Sequence, residues 1–215
     1  VLQRDRPAHV WGWADPGEAV TVTFAGQQKT AAAGADGKWT VLLDPLPASR
    51  EPRELTLNGA PAVKNVLVGE VWLCGGQSNM GLSLSDCFDA PREIAAANYP
   101  QFRFYAGGVS SSLLPAADLR GGSWKVCTPE TAAHFAGTAY FFGKRLHLAL
   151  DVPIGLIEFD VGATGIEGWV PLDAYRAAPE PALQAIYREV SSWNPASEIG
   201  RQAHEEAFAK IKAWL

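Results

Sequence analysis

The chain has 215 residues, of which 47% are hydrophobic and 19% charged, and its formal net charge is −5. This is the composition of an ordinary globular protein with one or two hydrophobic cores. The sequence has no Lys- or Arg-rich run and no apolar stretch of membrane-spanning length, which argues against a nucleic acid partner and against a membrane span.

The first part of the chain, residues 1–66, is predicted to be a small all-β domain. Its alternating apolar and polar residues predict five strands, at residues 9–14, 20–25, 27–33, 38–43 and 54–57. Pro16-Gly17 is the predicted turn between the first two strands, and Asp36-Gly37 closes a predicted hairpin between the third and fourth. Short strands separated by Gly and Pro turns favour a β-sandwich.

The second part, residues 67–215, is predicted to be an α/β domain. An almost continuous apolar run at residues 66–74 predicts a strand of a parallel sheet that is buried on both faces. A second strand is predicted at residues 102–105 and a third, buried strand at residues 153–159. Thr128-Pro129-Glu130 predicts the start of a helix that runs to about Leu150, with one apolar face. Further helices are predicted at residues 181–193 and 197–215.

Both ends of the chain suggest that it is part of a longer protein. Three strands are few for a stable parallel sheet, and no Gly, Asn or Pro ends the last helix before Leu215. We therefore expect the C-terminal part of the domain to be missing or to lie on another chain. Val1 starts no signal-type segment, so we expect the N-terminus to be processed or trimmed.

Cysteine and histidine spacing gives no indication of a metal site. Cys74, Cys87 and Cys127 match no zinc pattern, and we interpret them as buried reduced thiols, with one disulfide as the open alternative. The four histidines show no metal-binding spacing such as HExxH, and we interpret each as a surface or packing residue: His9, His134, His147 and His204.

The most informative segment is residues 69–80, with the sequence GEVWLCGGQSNM. A buried strand here leads into a glycine turn that carries Ser78, at the sheet edge where ligands of α/β proteins bind. A serine in that position can act as a nucleophile, and the adjacent backbone N–H can stabilise an oxyanion. On spacing alone, however, a Ser78 that caps a following helix is favoured.

The same segment resembles the GEVWLxSGQSNM block of the sialate O-acetylesterase family, within the SGNH/GDSL hydrolases. Three further stretches resemble other blocks of that family, namely residues 1–7 with 10–12 and 37–39, residues 124–129 with 139–143, and residues 153–157 with 162–169. The resemblance extends from residue 1 to about residue 170 and is weak beyond Pro171. It implies an SGNH-type parallel sheet flanked by helices, preceded by a small β-sandwich.

The resemblance also implies roles for individual residues. Ser78 aligns with the nucleophile, and the amides of Gly162 and Ala163, together with that of Ser78, align with the oxyanion hole. Ala163 replaces a family glycine, so a positive φ at this position would strain the alanine and weaken its assignment. Read without the resemblance, residues 162–165 are a plain loop between a strand and a helix.

Three further residues are candidates for substrate binding. Gln77 and Asn79 flank the predicted nucleophile, and their amides would bind substrate or, as an equal alternative, satisfy the backbone of the turn. Glu167 follows the predicted oxyanion loop. Trp169 follows it as well, but packing is the favoured interpretation of this side chain over stacking on a sugar.

The general base is not found in the sequence. In the family, a DxxH block supplies the catalytic His and its Asp, and a QGE-type block supplies a further oxyanion donor. Neither block is present in residues 1–215. A serine hydroxyl without a base is a poor nucleophile, so we expect a C-terminal remainder of the same protein to supply the His and the Asp.

The resemblance predicts a carbohydrate O-acetylesterase that hydrolyses acetyl esters on sugar hydroxyls and implies no metal or organic cofactor. Sialic acid and plant polysaccharides such as xylan or xyloglucan remain open as substrates. A periplasmic or extracellular location is expected. The alternative from another class is a non-catalytic carbohydrate-binding protein that retains a relic hydrolase domain.

Overall fold

The structure is a computed structural model, and it describes residues 1–107, 116, 118–119 and 121–214. The described parts of residues 1–109 and 120–162 form one compact unit, and those of residues 110–119 and 163–215 form a second. No helix in the described residues is both long and apolar enough to cross a membrane.

The first unit contains the strands. They are β1 (Leu2–Gln3), β2 (Ala8–Trp13), β3 (Ala19–Phe24), β4 (Gln27–Ala32), β5 (Lys38–Leu43), β6 (Ser49–Leu57), β7 (Ala60–Gly76), β8 (Tyr99–Ala106), β9 (Ser123–Cys127) and β10 (Ile154–Asp160). Its helices are α1 (Ala90–Ala95), α2 (Pro129–Ala132) and α3 (Gly137–Leu150). The second unit contains α4 (Leu172–Ala177), α5 (Pro181–Ser192) and α6 (Glu198–Trp214).

The strands form one large mixed sheet and one small sheet. The large sheet has the order β4-β3-β6-β7-β10-β8-β9, with β1 also paired to β7, and the small sheet pairs β2 with β5. A first core is built from apolar side chains of β3, β5, β6 and the first half of β7. A second core lies between α3 and the parallel strands β8 and β10. The chain is therefore a mixed α/β protein, as predicted.

The predicted pairing of the early strands is wrong, although the strands themselves are present. The predicted hairpin between β4 and β5 does not form, because β4 pairs with β3 and β5 pairs with β2. The true hairpin turn is Ala25-Gly26, whose φ angles of 51° and 81° are those of a tight two-residue turn. Pro16-Gly17 and Asp36-Gly37 instead lie where the chain passes between strands of the two sheets.

Strand β7 is the element that joins the two cores. It runs for 17 residues, through the predicted domain boundary at residues 66 and 67, without a break. Its first half pairs with β6, and its second half pairs in parallel with β10, from Glu70 to Gly76. The prediction that residues 66–74 are buried on both faces is wrong for the second half, because Trp72 and Leu73 are 43% and 71% exposed.

The long helix predicted over residues 128–150 is also interrupted. The predicted start is correct, because the Thr128 side chain accepts from the Thr131 N–H in a capping box. The chain then leaves the helix before α3, with ψ 116° at Ala136. Close packing requires a glycine at the new start, because a Cβ on Gly137 would lie 2.3 Å from the Sγ of Cys87.

Candidate active site

Ser78 lies on a tight turn directly after β7. The carbonyl of Gln77 accepts from the N–H of Met80 at 2.8 Å and from that of Gly81 at 3.0 Å, which closes the turn. No helix begins here, since the next helical turn starts at Leu84 and has Ser83 at its N-cap. The alternative interpretation of Ser78 as a helix-capping residue is therefore wrong. The Ser78 side chain is exposed.

The turn leaves backbone donors available at its tip. Within the described part of the chain, neither the amide of Ser78 nor that of Asn79 donates a hydrogen bond, and the Ser78 hydroxyl has no partner either. Two exposed amides next to a serine hydroxyl can stabilise negative charge on a substrate bound there.

Gly162 lies beside Ser78. Asp160 of β10 is paired with Gly76 of β7, so Gly162 and Ser78 each follow the last paired residue of their strand by two positions. The Val161 N–H donates to the Gly76 carbonyl at 3.1 Å, which holds the two strand ends together. A Cβ added to Gly162 would lie 3.9 Å from the Ser78 Oγ. The structure therefore brings these two predicted site residues together.

Ala163 has the conformation that weakens its predicted role. Its φ is 60°, in the left-handed region that favours glycine. An alanine there costs about 1 kcal/mol relative to the right-handed region. Gly162 has no positive φ, so it is the less strained of the two candidate oxyanion donors.

The second unit contains the other residues predicted on this loop. Glu167 lies in a short helical turn, Ile166–Trp169, and its carboxylate folds back toward Gly165, where a Cβ would meet Oε2 at 2.3 Å. The Tyr175 hydroxyl donates to the Glu167 carbonyl at 2.8 Å, and the Trp169 Nε1 donates to the Thr164 Oγ1 at 3.0 Å. Trp169 is therefore held by its own loop, and 37% of the residue is exposed.

Gln77 and Asn79 are both exposed residues of the turn. The Asn79 carbonyl accepts from the hydroxyl of Thr138, the second residue of α3, at 3.2 Å. The predicted substrate-binding roles of the two side chains remain predictions.

Sequence reasoning missed a pair of carboxylates at the end of β10. Glu158 is paired in register with Cys74, and Asp160 lies against the turn, since a Cβ on Gly81 would meet its Oδ2 at 2.4 Å. Burial raises the pKa of Glu158, and the nearby charge of Asp160 raises this pKa further. Burial and Glu158 also raise the pKa of the Cys74 thiol. In the sequence, the only indication that Glu158 and Asp160 lie near the site was their position a few residues before Gly162.

The histidines do not supply a base in the described structure. His147 is buried with Nδ1 at 2.8 Å from the Val152 carbonyl, and the His204 Nδ1 lies 2.7 Å from the Gly200 carbonyl. His9 and His134 are exposed. No described histidine is hydrogen-bonded to Ser78.

The three cysteines are free, and Cys74 and Cys127 are buried as predicted, whereas Cys87 is only partly buried. Burial raises the pKa of Cys127 to about 12, so this thiol is inert at neutral pH. Among the described residues, no group of three or more His, Cys, Asp or Glu side chains is placed to bind a metal ion.

Ser78 lies on a glycine turn at the carboxyl edge of a parallel sheet and faces a glycine that follows the next strand. This arrangement is typical of serine-dependent hydrolases.

Comparison with known proteins shows which hydrolases the chain resembles. No family model matches the chain. It is 32% identical to the sialate O-acetylesterase of Rattus norvegicus over 203 residues, which are 84% of this chain and 37% of the relative. It is 33% identical to the Homo sapiens sialate O-acetylesterase over 211 residues, or 86% and 40% of the two chains.

A solved structure agrees with these relatives. The crystal structure of a novel carbohydrate acetylesterase from Xanthomonas citri matches with a TM-score of 0.76 and 40% sequence identity, over 83% of this chain and 41% of that one. The resemblance to the sialate O-acetylesterase family that the motifs indicate is therefore confirmed. The chain spans 37–41% of the length of these relatives.

Proposed function

We propose that the protein containing this chain is a carbohydrate O-acetylesterase with Ser78 as its nucleophile. The observation that carries the proposal is the position of Gly162 beside the hydroxyl of Ser78, at the joined ends of β7 and β10. The similarity to sialate O-acetylesterases and to a carbohydrate acetylesterase supports the same reaction.

In the proposed reaction, the Ser78 Oγ attacks the acetyl carbonyl carbon while a histidine removes the hydroxyl proton. The oxyanion of the tetrahedral intermediate accepts from the amides of Ser78 and Gly162, with Ala163 as a further donor. The intermediate breaks down to an acetyl-serine, and the protonated histidine returns its proton to the departing sugar oxygen. The histidine then activates a water that attacks the acetyl-serine, which releases acetate and restores the Ser78 hydroxyl.

The histidine and its aspartate are proposed to come from a C-terminal remainder of the same protein. An uncovered surface on the first unit supports this. Trp72 and Leu73 line a groove of about 300 Å³ together with Met80, Thr138 and Phe142, immediately beside the Ser78 turn. Exposed apolar surface next to a reactive serine is typical of a site that another segment covers.

The finer architecture is part of the proposal. Residues 1–66 would be a β-sandwich accessory domain, and residues 67–215 would be part of an SGNH hydrolase domain. The substrate would be an acetylated sialic acid or a plant polysaccharide such as xylan or xyloglucan, contacted by Gln77, Asn79 and Glu167. The protein would act in the periplasm or outside the cell.

The test measures acetate release by the full-length protein from O-acetylated sialic acid and from acetylated xylan and xyloglucan. We expect Ser78→Ala to lower kcat by several orders of magnitude without unfolding the protein. The matched control is Ser83→Ala on the same loop, because the Ser83 side chain makes no capping bond.

Near-normal activity of Ser78→Ala would show that another residue is the nucleophile. Glycan binding without acetate release by the wild-type protein would favour the non-catalytic alternative.

A further inference from the structure

The N-terminal turn of α3 contacts the Ser78 turn at two points. The N–H of Gly137 donates to the Leu82 carbonyl at 2.8 Å, and the hydroxyl of Thr138 donates to the Asn79 carbonyl at 3.2 Å. The second of these bonds reaches the residue next to Ser78. Because it engages the carbonyl of Asn79, it fixes the orientation of the peptide between Asn79 and Met80, one residue beyond the predicted nucleophile.

The same helical turn contacts β10. The N–H of Ala136, the N-cap of α3, donates to the Glu158 Oε2 at 3.3 Å. A carboxylate is a favourable partner for a helix N-terminus, where backbone N–H groups lack helical acceptors. Glu158 lies only four residues before Gly162, so this bond ties α3 to the strand that carries the predicted oxyanion donor.

Packing prevents α3 from sliding. A Cβ on Gly137 would meet the Cys87 Sγ at 2.3 Å, and a Cβ on Gly143 would meet the Phe102 ring at 2.5 Å. Tyr140 is fully buried one turn into the helix. The N-terminal turn is therefore a fixed reference point, with the nucleophile turn bonded on one side and the end of β10 on the other.

We propose that Thr138 and Glu158 are positioning residues that act together through the N-terminal turn of α3 to set the separation of Ser78 from Gly162. The inference rests on the proposed esterase function and adds two side chains that touch neither substrate nor the reacting atoms. Its physical basis is that nucleophilic attack requires near-contact geometry, so a small displacement of the turn lowers the rate.

The experiment uses the full-length protein with p-nitrophenyl acetate as substrate. The damaging variants are Thr138→Val, which keeps the shape but removes the hydroxyl, and Glu158→Ala, which removes the acceptor. The rescuing variants are Thr138→Ser and Glu158→Gln, which retain a donor and an acceptor. The matched control is Thr40→Val, at an exposed position of β5.

We expect each damaging variant to lower kcat about fivefold to tenfold, the value of one hydrogen bond of about 1 kcal/mol, with KM changed less than about twofold. The rescuing variants and Thr40→Val should stay within about twofold of the wild-type kcat. Because both side chains act through one helical turn, the double variant should lose little more than the worse single variant.

Three results would overturn the proposal: an unchanged kcat in both damaging variants, failure of the conservative variants to rescue, or a double variant whose loss equals the product of the singles. Amide hydrogen exchange of residues 77–82 gives a readout that needs no activity, and it should accelerate in Thr138→Val but not in Thr40→Val. If the wild-type protein releases no acetate, the proposed function fails, and unchanged exchange would separately refute the positioning role.

Discussion

The middle and the second half of β7 lie in opposite surroundings although they belong to one unbroken strand. In the middle, residues 66–69 are buried, with Leu67 and Val68 each 1% exposed, and the strand has neighbours on both sides through β6 and β1. In the second half, residues 70–76, β10 pairs along one side, and Leu73 is 71% exposed. Both segments contain large apolar side chains, so the difference lies in what covers them.

The buried middle anchors the strand, and the partly exposed second half ends in the Ser78 turn. An apolar strand segment exposed beside the proposed nucleophile has the character of an interface, because large exposed apolar side chains are costly in water. We therefore expect the second half to become buried in the full-length protein.

The largest effect is expected from separating the chain from its proposed remainder. Residues 1–215 alone should show no acetylesterase activity and poor solubility, and co-expression with the C-terminal remainder should restore both. Acetate release and size-exclusion chromatography measure the two properties. A soluble 1–215 chain with ordinary enzymatic activity would show that no C-terminal segment has to bury the second half of β7.

A matched pair of leucines tests the comparison directly. Leu67→Ala should destabilise both residues 1–215 and the full-length protein by about 2–5 kcal/mol, as for any buried leucine. Leu73→Ala should have almost no effect on residues 1–215 but a cost in the same range in the full-length protein. Urea unfolding of the four variants, each compared with its own wild-type protein, measures this, and an equally small effect of Leu73→Ala in both proteins would mean that Leu73 stays exposed.

A smaller effect is expected at Ala163, which follows the strand paired to the second half of β7. Replacing it with glycine relieves the positive φ and should stabilise the protein by about 1 kcal/mol or less, because glycine also gains freedom in the unfolded chain. Thermal unfolding measures the change. A loss of stability in Ala163→Gly would show that the alanine side chain contributes contacts that outweigh its strain.

The smallest effect is a pH dependence at Glu158, which is paired with Cys74 in the second half of β7. Because folding raises the pKa of this carboxyl, its ionisation costs stability, and wild-type stability should fall as the pH rises through that pKa. Glu158→Gln cannot ionise, so its Tm relative to wild type should increase from acidic to neutral pH. A Tm difference that is constant with pH would contradict the raised pKa.

Local patterns predicted most elements of the fold. Alternation located β2, β3 and β5, and an apolar segment located β10, because the pattern of buried and exposed residues along a strand is set by its own sequence. Pairing was predicted less well. Asp36-Gly37 is a strong hairpin signal and Ala25-Gly26 is a weak one. β4 nevertheless pairs with β3 across Ala25-Gly26, because distant strands decide which sheet β4 joins.

The residues of the candidate site likewise fall into those that local sequence patterns predict and those that only the three-dimensional structure shows. Ser78 and Gly162 are visible in the sequence because they sit in recognisable blocks at the ends of apolar strands. Thr138 and Glu158 are ordinary residues, and they gain a role only from the position of the α3 N-terminus between the two strand ends. The close approach of Cys87 to Gly137 at the start of α3 was equally hidden.

The continuity of β7 has a thermodynamic consequence. Since one strand contributes side chains to both cores of the first unit, melting either core removes backbone partners from the other. The two cores should therefore lose structure as one cooperative unit, with a single calorimetric peak and no populated state in which only one of them is folded. A destabilising substitution in a buried position of the early strands would then increase the fraction of molecules in which the whole unit is unfolded. It would lower the population of the intact Ser78 turn without changing the geometry of that turn.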